Sequence, residues 1–316
     1  MNRILVIRGG AIGDFILTLP ALKTLRGAHP QAHVEILGYK HIAVLAENRF
    51  YAQAVRSIEY GPLSSFFAKD SNLPAELADY FASFDLIISY LHDPDGIFEV
   101  NLRRCGVENL AHRPAKVDNS GHAAQQLAAP IQELGLCVQD LAAKVYPSNE
   151  DQNIAEEFLR NSARPVVALH VGSGSERKNW PLESWIDLGN HLLGSDDFPG
   201  SLVIVSGEAD EDRARQLQTV WKSDRVQVAR NLALPQLAAV FERAIFVGHD
   251  SGISHLAAAA GAKCVLLFGP TDPAVWAPMN KNVKVLRATS GRLTDLGIVE
   301  VEAAVATALC RRASMQ

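Results

Sequence analysis

The side chains best equipped for chemistry in this 316-residue chain sit in glycine-bearing turns that follow apolar runs. Gly248-His-Asp-Ser-Gly252 follows Ala244-Ile-Phe-Val247 and leads straight into an alanine-rich segment that Gly261 ends. With a second apolar run at Cys264–Phe268 this reads as strand, turn, helix, strand, a parallel crossover unit. Its turn offers backbone N–H groups at a helix N-terminus, where orphan donors and the helix dipole favour an anion. Asp250 or Ser251 can cap that helix. His255 lies about one turn further along the same face, either donating to a ligand oxygen or satisfied in the core. A diphosphate-sized group suits this turn.

Four further turns carry polar groups. In Gly9-Gly-Ala-Ile-Gly-Asp14 the spacing is not G-x-G-x-x-G, and no clear acidic residue closes the following strand, which disfavours a nicotinamide dinucleotide. Asp14 would repel phosphates; near a helix N-terminus that keeps it ionised it suits a general base, or else a plain cap. Gly172-Ser-Gly-Ser-Glu-Arg-Lys178 offers backbone donors, the hydroxyls of Ser173 and Ser175, and two cations, of which Lys178 or Arg177 could neutralise a departing phosphate. It lacks the G-K-[ST] ending of a P-loop, so ordinary ATPase chemistry is not expected, and a solvated loop is the plain alternative. Glu208, after a strand and Gly207, could accept ribose hydroxyls or simply favour a helix dipole. His170, at a strand end, carries the same ambiguity as His255. His92, Asp93 and Asp95 surround Pro94 and Gly96 and read as an ordinary turn, so no metal is assigned.

These turns need strands to hold them. Apolar runs at Arg3–Arg8, His33–Gly38, Ala54–Tyr60 and Asp85–Leu91 alternate with helical stretches, the first of which contains Pro20 and should kink or break there. Ala123–Leu134 reads as one amphipathic helix. A second alternation runs from Pro165–His170 through Leu202–Val205 and Val226–Ala229 to the crossover unit and a final helix at Val299–Cys310. The expectation is an α/β protein of two doubly wound parallel-sheet domains, 1–150 and 151–316, with the final helix able to return to the first. Loops at the carboxyl ends of both sets of strands would then face one interdomain cleft.

Composition sets outer limits. The chain is 48% hydrophobic and 21% charged, which fits large cores, and its net charge of −5 offers no electrostatic footprint for nucleic acid. Four widely spaced cysteines without a C-x-x-C pair read as free thiols. Arg8 and Asp14 interrupt the apolar N-terminal run before a signal-peptide core could form, and no stretch has transmembrane length. A cytoplasmic location is expected, with contact at a membrane surface left open. Arg103, Arg104, Arg113 and Lys116 form a basic cluster that suits phosphate groups, anionic lipid or plain solvation.

The segments RGGAIGDFILTLPAL at Arg8–Leu22, HVGSGSERKNWP at His170–Pro181 and GHDSGISHLAAAAGAKCVLLFGPTDP at Gly248–Pro273 together resemble glycosyltransferase family 9, the ADP-heptose:lipopolysaccharide heptosyltransferases. The resemblance covers most of the chain in matching order. It implies the GT-B fold, two Rossmann-like domains facing a cleft, and inverting, metal-independent transfer of heptose from ADP-heptose to a lipid-linked inner-core acceptor, with no cofactor. It makes Asp14 the base on the acceptor hydroxyl and Lys178 the cation on the diphosphate, with Ser173 and Gly174 adding contacts. It also implies Glu208 at the ribose, the Ser251 and Gly252 amides at the diphosphate, Asp250 nearer the sugar, and His255 in the donor signature. Val171 stands where proline is common, and the cysteine-bearing segment after Trp276 is missing. Another nucleotide sugar, another surface-glycan acceptor, or nucleotide-sugar binding without transfer are the rival readings.

Overall fold

The computed structural model describes residues 1–207 and 210–313. The chain divides into two compact units, Met1–Leu141 and a second from Ala142 onward.

In the first unit β1 (Arg3–Arg8), α1 (Ile12–Ala28), β2 (His33–Gly38), α2 (Lys40–Ala43) and β3 (Ala54–Ser57) are followed by a 3₁₀ segment, Gly61–Phe67. Then come α3 (Ala75–Ala82), β4 (Leu86–Ser89), α4 (Ile97–Arg104), β5 (Leu110–His112), α5 (Ala123–Gln126) and α6 (Ala129–Glu133). The sheet is parallel throughout, in the order β3-β2-β1-β4-β5. Ile4, Leu5, Val6 and Ile7 are wholly buried, which is why the central strand reads as a continuous apolar run, not an alternating one: both its faces are covered. Leu5, Ile7 and Ile87 pack with Phe66, Phe81 and Phe98 in one core.

Two expectations are corrected here. α1 runs unbroken through Pro20. The proline removes one amide donor, but Phe15, Ile16 and Leu19 before it and Ala21, Leu22 and Leu25 after it are all buried, and that packing carries the helix across. The amphipathic stretch 123–134 is two short helices, not one, because Pro130 opens a new first turn in α6.

The second unit comprises α7 (Asn149–Phe158), β6 (Val166–His170), α8 (Leu182–Gly194), β7 (Ser201–Ser206), α9 (Glu211–Val220), β8 (Val226–Arg230) and α10 (Leu234–Phe241). It continues with β9 (Ala244–His249), α11 (Gly252–Ala259), β10 (Lys263–Phe268), α12 (Pro273–Trp276), β11 (Val283–Arg287) and α13 (Ile298–Ala313). Its six parallel strands lie in the order β11-β10-β9-β6-β7-β8. The core contains Val167, Leu169, Ile204, Val247 and Leu267 with Trp180 and Trp185. Those two indoles are wholly buried and meet edge to face with ring centroids 5.2 Å apart. Trp180 donates its indole N–H to the Leu296 carbonyl at 3.0 Å, fixing the loop before α13. That final helix, expected to be able to return to the first domain, packs on β9, β10 and α8 of its own unit.

Candidate active site

In the second unit the strand order reverses between β6 and β9. Counted within the unit, the order is the Rossmann order 3-2-1-4-5-6 read from the other edge, and the ligand crevice of such a sheet opens beyond the carboxyl ends of the strands flanking the reversal. The loop after β6 contains Gly172–Lys178; the turn after β9 contains Asp250 and Ser251. Most of the residues singled out in sequence therefore converge here.

Lys178 and Asp250 join the two loops. Lys178 Nζ lies 2.7 Å from Asp250 Oδ2, with the lysine a third exposed and the aspartate nearly buried. Thr271, just past β10, donates its hydroxyl to the same carboxylate oxygen at 2.8 Å. The cation expected on a diphosphate is thus held by its own counter-ion across the switch point. Ser251, not Asp250, caps α11: its Oγ accepts the Ser254 N–H at 3.3 Å, and Asp250 is left to the lysine. The first amides of α11 are offered to an anion beside this pair.

The loop before Lys178 is tied down from within. Ser173 Oγ donates to the Ser175 carbonyl and lies 2.9 Å from Asn179 Oδ1. Gly174 has no heavy atom within 4 Å of where a Cβ would stand, so that side of the residue is open. Gly172 is the opposite case, for a Cβ there would lie 2.3 Å from Asp210 Cβ. His255, one turn into α11, is 5% exposed and so largely buried. Glu208 lies outside the described residues.

Beneath the turns are polar residues that the sequence reading left ambiguous or passed over. His170 Nε2 sits 3.1 Å from Asp210 Oδ2, both side chains buried. Burial pushes the Asp210 carboxyl up, but His170 and the Gly207 N–H more than offset it and hold it below the usual carboxylate range. His249 is fully buried, which, with repulsion from His170, pulls its pKa down to about 3. It is therefore neutral, its Nε2 accepting the Trp180 N–H at 2.8 Å and its Nδ1 facing the Gly172 carbonyl at 3.5 Å. The side chain clamps the lysine loop onto β9. A histidine inside the turn motif was the only signal for it in the sequence.

In the first unit Asp14 lies in the opening turn of α1 and accepts the Ala11 N–H at 2.9 Å. Its carboxyl is about a third exposed and 3.8 Å from the buried Arg8 guanidinium. Arg8 in turn donates to Thr18 Oγ1 and to the carbonyls of Gly9 and Asp14, and lies over the Tyr90 ring. Gly10 has φ +95°, and a Cβ on it would approach Asp14 Oδ2 to 3.0 Å; only glycine leaves that carboxylate its place. Asp93, in the turn after β4, accepts the N–H groups of Phe98 and Glu99 in the first turn of α4. The basic cluster is locally engaged: Arg103 with Glu99, Arg104 with Asn101 and Ser71, Arg113 with Glu133.

Two parallel Rossmann-like sheets in tandem, the second with a capped helix and a paired lysine at its switch point, define a GT-B protein. The family model described as glycosyltransferase family 9 (heptosyltransferase) matches residues 111–305. The chain belongs to that family and is a glycosyltransferase. It is 26% identical over 318 residues to lipopolysaccharide heptosyltransferase 1 of Escherichia coli strain K12, covering 93% of this chain and 96% of that one. The crystal structure of a family 9 glycosyl transferase from Veillonella parvula superimposes with a TM-score of 0.79 at 19% identity, covering 98% of this chain and 97% of the other. The E. coli heptosyltransferase WaaC with ADP-2-deoxy-2-fluoro heptose gives 0.69 at 20% identity, covering 96% and 99%.

Proposed function

We propose that this glycosyltransferase moves a heptose from ADP-heptose to an inner-core lipopolysaccharide acceptor, with inversion and without a metal or other cofactor. The observation that carries the reading is the Lys178–Asp250 pair beside the Ser251-capped N-terminus of α11, at the one place in the second sheet where a Rossmann-like fold takes a nucleotide. Relatives named for heptosyl transfer, at 93% coverage of this chain, support the sugar and the acceptor.

In this reading the diphosphate lies against the amides of Ser251 and Gly252, with Ser173, Gly174 and His255 in the donor site. Glu208 takes the ribose. Asp14 accepts the proton of the acceptor hydroxyl as its oxygen bonds to the anomeric carbon. The bond from that carbon to the diphosphate oxygen breaks, and ADP departs with the electron pair. Lys178 and the α11 amides stabilise the charge that develops on it. Asp250 orients Lys178 and lies nearer the sugar. No helix among the described residues is long and apolar enough to cross a membrane; a lipid-linked acceptor would place the enzyme at the cytoplasmic face of the inner membrane as a peripheral protein.

The test is to incubate the purified protein with ADP-heptose and a panel of other nucleotide sugars, with and without Kdo-lipid A, in EDTA. ADP release that needs both ADP-heptose and the lipid, survives the chelator and is lost in Asp14→Ala is the expected result. Tight donor binding without acceptor-dependent release would leave a binding protein, and preference for another donor would replace the sugar.

A further inference from the structure

The buried pair beneath the crevice has no part in the scheme above, yet it reaches the diphosphate turn. His170 ends β6 and is the register partner of Gly248 on β9. Its Nε2 faces Asp210, and its Nδ1 lies 3.4 Å from Ser251 Oγ. Asp210 sits just before α9, and its other oxygen, Oδ1, accepts the Gly207 N–H at 3.1 Å; held below the usual carboxylate range it is ionised, and the imidazole hydrogen belongs on the Nε2 that lies 3.1 Å from its charge. The state of Nδ1 then decides which way the Ser251 hydroxyl points.

Among the described residues, the charged and titratable side chains packed near His170 are engaged elsewhere. His249, on β9, gives Nε2 to the Trp180 N–H. Arg213, on α9, donates to the carbonyls of Val171 and Trp180 and pairs with Glu176. On α11, Ser254 donates its hydroxyl to the His249 carbonyl and its N–H to Ser251 Oγ. Lys178 and Asp250 hold each other. With Nδ1 bare, the Ser251 proton turns inward to it and a lone pair faces the incoming phosphate. With Nδ1 protonated, Ser251 Oγ accepts from His170 and from Ser254, and its own proton is released toward the ligand.

We propose that His170, anchored by Asp210, is a positioning residue for the donor diphosphate: protonated on both nitrogens, it turns the Ser251 hydroxyl into a donor to phosphate oxygen. The inference rests on the nucleotide reading of this crevice and adds a proton taken up on binding.

Calorimetric titration of ADP into the full-length protein, at several pH values and in buffers of different ionisation heat, tests it. His170→Gln keeps an amide at the Nε2 position for Asp210 and removes Nδ1. It is expected to weaken ADP about tenfold, the size of one hydrogen bond to a charged group, and to abolish the extra proton uptake. Titration of the ADP phosphate itself is common to every variant. Ser251→Ala should match it, and the double variant should be no weaker than either single one, because the two act through one bond. Asp210→Asn should lose the proton uptake with both other residues intact, which keeps the test alive should His170→Gln not fold. Wild-type affinity and proton uptake in His170→Gln, or losses that multiply in the double variant, would overturn the inference while leaving the nucleotide reading standing. Failure of the unaltered protein to bind ADP would overturn both.

Discussion

Asp14 and His249 are both held by backbone groups, with opposite consequences. Asp14 is partly exposed and has a free lone pair for a hydroxyl proton, although it accepts the Ala11 N–H and lies near Arg8. Asp14→Asn should keep that N–H contact and lower kcat by roughly 10²–10⁴-fold, the usual worth of a general base; ADP affinity by calorimetry should not change. An unchanged kcat would remove Asp14 from the chemistry. His249 instead titrates into instability. Its folded pKa lies at about 3, against the ordinary histidine value of 6.5 in the unfolded chain. The unfolded chain therefore binds one proton more than the folded chain between those limits, so stability rises with pH across that window. The contribution is complete above about pH 6.5 and declines as the pH falls, by up to about 1.4 kcal/mol per pH unit for one proton. Thermal melts between pH 7 and 5 should show this slope, and His249→Gln should flatten it.

The turns were legible in the sequence because their signals are local: a glycine where φ must be positive or a backbone must come close, a hydroxyl at a helix start, an apolar run before each. Gly172 shows how far that goes. It was read as a flexible backbone donor, whereas its lack of a Cβ is required by Asp210, 38 positions along the chain and packed against it. Pairings of this kind, like His170 with Asp210 or Lys178 with Asp250, depend on which strands adjoin, and no spacing rule announces them. That α1 does not break at Pro20 has a related reason, since burial on either side of the proline is a tertiary fact. Gly172→Ala should cost about 1–3 kcal/mol, as overpacking does, and should weaken ADP by displacing Asp210 and its histidine. A denaturant midpoint equal to that of the unaltered protein would show that the loop gives way freely.

Each unit has its own parallel sheet and its own core, and the residues proposed to hold the nucleotide all lie in the second. A fragment comprising 142–316 should fold, give a single thermal transition that ADP raises, and show no transfer, because Asp14 is absent. A fragment that folds but fails to bind ADP would refute the assignment of the nucleotide to this unit. The Lys178–Asp250 contact also bears on what this crevice refuses. A bare lysine at a helix N-terminus would gather any phosphate in the surrounding solution. Here a resident carboxylate already occupies the cation, so an entering anion must out-compete an intramolecular partner that never diffuses away. On the proposed reading, orthophosphate competes poorly for the lysine, whereas a diphosphate long enough to engage the α11 amides with its second phosphate is admitted. Asp250→Asn should therefore bind inorganic phosphate more tightly and be inhibited by it at concentrations the unaltered enzyme tolerates. On that reading, the acid in this turn is a gate against the commonest anion that resembles half of the ligand.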